Sequence, residues 1–216
     1  DDIAAGSGDA YIVLSSGAYV QGGDWEYLER GAISNVEPES GVWGTRVTIT
    51  GDRLLGGGAS IDRAWLAGVE ASIVDAAEYQ NTYDAGTELR LVARNSSARA
   101  GDIVLLADTG AVVTKNAGWV YQTPGLVTDV SPSYGQYNTE VTISGTRLLA
   151  DGDSFASITL AGTAIQTLVN FSNTTINVVV DHADAGQGDV TLVVNTGGIV
   201  TLEDGWSYRK EAEILA

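Results

Sequence analysis

Short apolar runs that alternate with polar residues recur along the whole chain. Residues 47–49, 103–106 and 190–194 are typical of these runs, which are rich in Val, Ile and Thr. Alternation with a period of two is the pattern of a strand that buries one face. Turn-forming clusters such as Asp108-Thr109-Gly110 separate the runs, and no segment shows the spacing of an amphipathic helix. The pattern predicts antiparallel β-sandwiches with about seven strands each.

Two blocks of residues occur more than once. A closing block, made of Gly-Asp, then Ser-Gly or Thr-Gly, then Trp and Tyr two positions apart, ends at Tyr27, Tyr121 and Tyr208. An opening block, with Val-x-Pro, Val-Thr-Ile, Gly and Arg-Leu-Leu, occupies residues 36–55 and recurs 94 residues later at 130–149. Trp206 lies only 87 positions after Trp119, so the second copy is the shorter. A repeat of this length corresponds to one small domain.

The positions of the blocks predict the domain organisation. Residues 31–123 and 124–210 are expected to be complete repeats, and residues 1–30 the last two strands of a preceding one. Ile214 lies six residues after Tyr208, as Val127 does after Tyr121, so residues 211–216 are expected to begin another repeat. The chain has no Met and no apolar run long enough for a signal peptide or a membrane helix. We therefore expect an excerpt or a processed piece of a longer array.

The order of these motifs resembles one known family. Residues 44–51 read Gly-Thr-Arg-Val-Thr-Ile-Thr-Gly, and residues 138–145 read Asn-Thr-Glu-Val-Thr-Ile-Ser-Gly. Each is followed by Leu-Ala-Gly, Gly-Asp and a closing Gly-Trp-x-Tyr. Nearly the whole chain is thereby similar to tandem IPT/TIG immunoglobulin-like domains. The resemblance implies an all-β fold, and a setting among stacked modules of cell-surface or secreted proteins, accessory domains of starch-degrading enzymes, or DNA-binding transcription factors.

Charge and composition reduce the number of settings that fit this chain. The formal charge is −17, with two lysines and nine arginines, and this charge repels a phosphate backbone. We therefore expect no nucleic-acid partner, and no membrane insertion within this segment. The chain has no Cys, which excludes disulfides and thiolate metal sites. Only five residues separate Tyr27 from Ile33 and Tyr121 from Val127, so successive domains are expected to touch and to form a semi-rigid array.

Several aromatic residues and glycines have predicted roles. Trp25, Trp119 and Trp206 share one place in the closing block and are expected to anchor cores. The Gly-Asp pairs at 101–102 and 188–189 are expected at strand starts, where Gly supplies unusual backbone angles and Asp bonds nearby amides. Trp65 corresponds to Thr159 and should point outward. It is a candidate contact residue, unless neighbouring segments cover it.

Trp43 and Tyr137 occupy equivalent loop positions beside the incoming linker. Their bulk would suit the interface between successive domains, and a contact surface for a ligand is the alternative. Three Asn-x-Ser/Thr sequons, at Asn95, Asn170 and Asn173, are candidate N-glycosylation sites.

No catalytic, cofactor or metal site is predicted. Acidic residues gather at 151 and 153, at 181 and 184, and at 203 and 204, but without the spacing of a calcium loop, which favours solvated turns. His182 is the only histidine and has no partner pattern for a catalytic triad or a zinc site.

The leading functional hypothesis is a non-enzymatic structural array: Ig-like modules that extend a large extracellular protein, or build a fibre or appendage. Its partners would be neighbouring repeats, or copies of itself in an assembly. One alternative is an adhesion module that binds a protein or carbohydrate ligand through exposed aromatic residues. Another is a set of accessory domains of a carbohydrate-active enzyme.

Overall fold

The computed structural model describes residues 5–74 and 86–210, and within these ranges every regular element is a β-strand. The predicted terminal strand around Ile214 lies outside the described residues. The first eleven strands are β1 (Gly6–Val13), β2 (Tyr19–Tyr27), β3 (Ala32–Glu37), β4 (Ser40–Gly41), β5 (Arg46–Asp52), β6 (Ile61–Leu66), β7 (Val69–Glu70), β8 (Ser72–Ile73), β9 (Glu88–Val92), β10 (Arg99–Ala107) and β11 (Val112–Tyr121). The other nine are β12 (Leu126–Ser131), β13 (Tyr134–Gly135), β14 (Glu140–Thr146), β15 (Phe155–Leu160), β16 (Thr163–Ala164), β17 (Thr167–Phe171), β18 (Thr175–Val179), β19 (Gly186–Val194) and β20 (Ile199–Tyr208).

Strands β3 to β11 form the first sandwich. One of its sheets has the order β3-β5-β9-β8, and the other has the order β4-β11-β10-β6-β7. All pairs are antiparallel except β4 with β11. The alternating residues predicted from the sequence face inward, and a single core lies between the sheets, with Ile49, Leu66, Leu105 and Trp119 fully buried.

Strands β12 to β20 form the second sandwich. Its sheets have the orders β12-β14-β18-β17 and β13-β20-β19-β15-β16, so its nine described strands all repeat the arrangement of the first sandwich. Ile143, Leu160, Leu192 and Trp206 are fully buried in its core. The prediction of an all-β, immunoglobulin-like fold is confirmed.

Hairpin β1–β2 forms a sheet of its own. Its register, with Gly6 opposite Tyr27, matches Arg99 opposite Tyr121 and Gly186 opposite Tyr208 in the two sandwiches. Trp25 is 57% exposed, whereas Trp119 and Trp206 are 0% exposed. The prediction of a core anchor therefore holds for the last two residues and is wrong for Trp25 in this structure, because β1 and β2 pair only with each other.

The Gly-Asp pairs agree with the prediction in the role of the aspartate and differ from it in their position and in the role of the glycine. They lie inside β10 and β19, at bulges where the register shifts after Gly101 and Gly188. The Asp102 Oδ1 accepts a hydrogen bond from the Ala117 amide at 2.8 Å. Neither glycine has a positive φ; instead, a Cβ on Gly101 would lie 2.9 Å from the Cα of Ala67. Close approach of two backbones, rather than unusual backbone angles, explains the glycine.

Candidate functional site

The two sandwiches meet at a loop and a turn. The interface loop is residues 42–46, between β4 and β5, and the interface turn is residues 195–199, between β19 and β20. The Arg46 amide donates a hydrogen bond to the Thr196 carbonyl at 2.9 Å, and the Ile199 amide donates one to the Trp43 carbonyl at 2.8 Å. Because backbone groups make these bonds, the contact fixes the position of one backbone against the other.

A glycine on each side allows the approach. Gly44 and Gly197 have φ of 85° and 89°, in the left-handed region that favours glycine. A Cβ on Gly44 would lie 2.5 Å from the Gly197 carbonyl oxygen, and a Cβ on Gly197 would lie 2.7 Å from the Gly44 carbonyl oxygen. Any side chain at either position must therefore separate the two backbones.

The interface loop has its own internal support. The Thr45 side chain is buried and its Oγ1 accepts a hydrogen bond from the Val42 amide at 3.0 Å. The Gly44 amide donates to the Ala93 carbonyl, which ties the loop to the end of β9. The loop is therefore held by the first sandwich before it meets the second.

Side chains also cross the interface. Val42, a residue of the first sandwich, is buried within the core of the second. The Ser40 hydroxyl donates a hydrogen bond to the Asp151 Oδ2 at 2.8 Å. The sequence predicts a solvated turn at Asp151, and no local pattern identifies its interface partner because the two residues are 111 positions apart.

Both linkers are clamped by the arginine of the repeated Arg-Leu-Leu. The Arg53 guanidinium donates to the Arg30 carbonyl at 3.4 Å, and the Arg147 Nε donates to the Pro124 carbonyl at 3.1 Å. A Cβ on Gly125 would collide with the Arg147 carbonyl oxygen. The linkers are thus packed against the residues that directly follow β5 and β14.

Trp43 and Tyr137 are placed differently. Trp43 lies at the interface through its carbonyl, while the residue as a whole is 43% exposed. Tyr137 stacks on His182, with ring centroids 3.6 Å apart, and its hydroxyl accepts a hydrogen bond from the side-chain Nε2 of Gln166. Asn138, at φ 68°, takes the place of Gly44. The Cβ of Asn138 occupies the space that Gly44 leaves empty. The loop that contains Asn138 therefore cannot approach a turn like residues 195–199 as closely as the interface loop does.

Trp65 lies on β6 opposite Glu70, as Thr159 lies opposite Ala164, which is the predicted correspondence. The side chain is partly buried, and the Arg63 guanidinium sits 5.2 Å from the ring centroid. One face of the indole is therefore occupied by a cation–π contact within the chain.

The three sequon asparagines are exposed. Asn170 lies on the edge strand β17, and its Oδ1 accepts a hydrogen bond from Asn177 at 2.7 Å. The Asn173 Oδ1 accepts one from the Leu149 amide at 3.1 Å. Asn95 lies in a loop between β9 and β10.

The acidic residues serve as local hydrogen-bond acceptors. The Asp153 Oδ1 accepts from the Ser154 hydroxyl, and the Asp181 Oδ1 accepts from the His182 amide. Within residues 5–74 and 86–210, no group of three or more His, Cys, Asp or Glu side chains is arranged to hold a metal ion. The same residues contain no helix long and apolar enough to cross a bilayer.

Two buried tyrosines pack against the core tryptophans. Tyr121 and Tyr208 each meet the tryptophan two residues earlier edge to face, with ring centroids 5.7 Å apart. Burial raises the pKa of Tyr121, and the nearby Arg94 backbone and Arg99 charge oppose this only in part. Burial also raises the pKa of Tyr208; the Thr163 side chain opposes the shift and the Asp181 charge adds to it.

A family model described as "IPT/TIG domain" matches residues 126–208. These residues form an IPT/TIG domain. The match covers the second sandwich, and the described strands of the first sandwich have the same order. No curated protein sequence is significantly similar to the chain.

Solved structures show the same fold. A structure titled "Plexin A4 full extracellular region" superposes with a TM-score of 0.50 at 19% identity, covering 84% of this chain and 16% of that one. This chain thus spans about a sixth of the length of that plexin chain. At this identity the likeness shows the fold alone.

Two weaker likenesses carry no argument beyond this. SGBP-B from a xyloglucan utilization locus in Bacteroides uniformis has a TM-score of 0.34 at 17% identity, covering 82% of this chain and 49% of that one. A gamma-CGTase from an alkalophilic Bacillus clarkii has a TM-score of 0.35 at 14% identity, covering 92% and 31%.

Sequence reasoning missed the residues that make the interface. In the sequence, Gly197 belongs to a repeated Thr-Gly pair, whereas the Gly-Thr pair at 44–45 has Asn-Thr in its place at 138–139. The signal that could have found them is that Gly197 is conserved between the copies at Gly110, whereas Gly44 is replaced by Asn138. That difference marks a position whose environment changes from one repeat to the next.

Proposed function

We propose that this chain is part of a non-catalytic array of stacked Ig-like repeats in a large extracellular or cell-surface protein. Its units are residues 31–123 and 124–210, with 1–30 closing a preceding repeat and 211–216 opening a following one. The array acts as a semi-rigid stalk, fibre or appendage. Its immediate partners are neighbouring repeats.

The observation that carries this proposal is the hydrogen-bonded interface between the sandwiches. Two backbone hydrogen bonds, at 2.8 and 2.9 Å, and the paired glycines hold the loop of one repeat against the turn of the next. Each such bond contributes about 0.5–1.5 kcal/mol net, and the clamped linker confines the remaining motion. A flexible tether between binding modules needs none of these contacts.

The acidic surface is consistent with an extended array. A charge of −17 keeps repeats from associating side by side, so contacts along the chain are favoured over lateral ones. The adhesion alternative has less support at Trp65, because Arg63 already covers one face of that side chain.

Small-angle X-ray scattering of the chain tests the proposal. We expect the wild type to scatter as a single elongated body with one fixed angle between the sandwiches. Gly197→Val should broaden the distance distribution to that of two jointed domains, because its side chain separates the interface backbones. Gly162→Val is the matched control: Gly162 has φ 80° in the second sandwich and nothing within 4 Å of its Cβ position.

Scattering typical of freely jointed domains in the wild type would contradict the proposal. So would a Gly197→Val variant whose scattering matches that of the wild type and of Gly162→Val.

A further inference from the structure

The turn of the first sandwich that corresponds to the interface turn is open. It comprises residues 108–112, between β10 and β11, and it repeats the geometry of residues 195–199. The Ala107 amide donates to Ala111 at 2.9 Å, as the Val194 amide donates to Gly198 at 2.9 Å. Gly110 has φ 85° and Gly197 has φ 89°, but nothing lies within 4 Å of a Cβ on Gly110.

The open turn presents the same two backbone groups as the interface turn. Val112 lies opposite Leu106, and Ile199 lies opposite Val193, in the same register. Since the Ile199 amide points away from its own hairpin to reach Trp43, the Val112 amide points outward in the same way. The Thr109 carbonyl takes the place of the Thr196 carbonyl.

A groove runs beside the open turn. It has a volume of about 590 Å³ and is lined by residues 25–31, 56–57 and 109–113. Hairpin β1–β2 forms its other wall, and Leu28 approaches Gly57 closely. This wall is therefore the end of the first closing block. Hairpin β1–β2 precedes the first sandwich just as hairpin β10–β11 precedes the second.

Hairpin β1–β2 also exposes the side chains that a sandwich would bury. Ile12, Val20, Trp25 and Tyr27 are all exposed, whereas Trp119 and Tyr121 are buried. Strand β10 pairs with β6, and β11 pairs with β4, but β1 and β2 have only each other. An Ig-like half-repeat that supplies the counterparts of β3 to β9 would cover this face.

We propose that the open turn at 108–112 is the docking site for the loop of an Ig-like repeat completed on hairpin β1–β2. The occupant is a half-repeat with the chemistry of residues 31–98, which carries a loop like residues 42–46. Placing it on the hairpin as β3–β9 lie on β10–β11 brings that loop to the open turn. The loop must have glycine at the position of Gly44, because a Cβ there would meet the turn backbone. This inference rests on the proposed stacking and extends it to a second interface.

One difference between the turns limits the fit. Ala111 takes the place of Gly198, where a Cβ would lie 3.1 Å from the Val42 Cγ2. The docked loop must therefore shift by a few tenths of an ångström, or carry a smaller residue at the Val42 position.

The test adds the half-repeat to the full chain. A second copy of residues 31–98 is placed directly before Gly6. Gly6 corresponds to Arg99, so the copy joins β1 in the same way as residue 98 joins β10. Hydrogen exchange followed by NMR reports the Val112 amide and the Trp25 indole N–H in the starting and extended chains. We expect both to exchange at least about tenfold more slowly in the extended chain, with the Val112 amide approaching the Ile199 amide, which serves as the internal reference.

A second variant separates docking from completion of the sandwich. Gly110→Val in the extended chain should restore fast exchange at Val112 and leave Trp25 protected, because the new side chain blocks only the interface. If Trp25 becomes protected while Val112 exchanges as in the starting chain, the docking inference is wrong and the stacking of the two existing sandwiches stands. If Trp25 stays unprotected, the half-repeat does not complete the hairpin and the inference is also overturned. Failure of the stacking proposal would appear instead as fast exchange at Ile199 in the starting chain.

Discussion

At the scale of single residues, three tryptophans with one sequence signature have two different environments. Trp119 and Trp206 are fully buried, and Trp25 is largely exposed. We expect Trp119→Ala to lower the free energy of unfolding of the first sandwich by about 3–5 kcal/mol, since it removes a large buried side chain. Trp25→Ala should change it by less than about 1 kcal/mol. Urea denaturation monitored by circular dichroism measures both, and equal losses would contradict the structure.

The buried tyrosines predict a dependence of stability on alkaline pH. Burial raises the pKa of Tyr121 and Tyr208 above 10.0, so the unfolded chain ionises first as the pH rises past that value. The stability that each neutral phenol provides is therefore complete below pH 10.0 and is lost as the pH rises through the folded-state pKa. Thermal unfolding between neutral pH and pH 11 should show this decline, and the Tyr121→Phe, Tyr208→Phe double variant should flatten it. An unchanged decline in that variant would show that other groups cause it.

Single residues also show where sequence reasoning stops. The Gly-Asp pair was recognised because it recurs, but recurrence does not reveal the physical reason for a glycine. The reason here is the Cα of Ala67, a neighbour brought close only by the sheet. Likewise, the side chain of Trp65 was placed outward by alternation, whereas Arg63 over its ring depends on rotamers that a pattern does not encode.

At the scale of elements, the bulge in β10 depends on one carboxylate. Asp102 accepts a hydrogen bond from the Ala117 amide, at a residue held in the left-handed region with φ 48°. Asp102→Ala should reduce the free energy of unfolding by about 0.5–1.5 kcal/mol, because it removes one intramolecular hydrogen bond whose exposed donor can then bond to water. Asp129→Ala, at an exposed position on β12, is the control and should stay within about 0.5 kcal/mol of the wild type. Chemical denaturation compares the two, and similar values would rule out the structural role.

In each sandwich a loop packs against a turn, and the two sandwiches place the glycine of this contact on opposite sides. The elements are the β5–β6 loop and the β10–β11 turn in the first sandwich, and the β14–β15 loop and the β19–β20 turn in the second. The first sandwich has Gly56 against Ala111, and the second has Ala150 against Gly198. A Cβ on Gly56 would lie 2.8 Å from the Ala111 Cβ. Gly56→Ala should therefore destabilise the first sandwich, and adding Ala111→Gly should recover part of the loss. A double-mutant cycle should give a coupling energy of about 0.5–3 kcal/mol, and additive effects would contradict the contact.

The strands themselves could be predicted from the sequence because their signal is local. Residues 47–49, 103–106 and 190–194 are apolar runs rich in Val, Ile and Leu, and within the strands that they form, buried and partly buried positions alternate. The pairing of β4 in parallel with β11 could not be predicted, since a two-residue strand carries no periodic signal.

At the scale of the whole molecule, the repeat blocks predicted two cores and the structure has them. The prediction that neighbouring sandwiches touch followed from the short linkers alone. The identity of the interface could not follow, because Gly44, Thr196 and Ile199 form hydrogen bonds only after two separately folded units are placed together. Asn138 shows that a repeated position can change its role between copies.

The pairing of a loop with a turn gives the array a direction. A repeat offers its loop to the repeat that follows it and its turn to the repeat that precedes it, so the two ends of any stack are chemically different. In a stack tethered to a surface by its first repeat, the outermost repeat therefore presents its loop outward, at the position that residues 42–46 and 136–140 occupy in the two sandwiches. A molecule that approaches such a stack from outside meets that loop before it meets a turn.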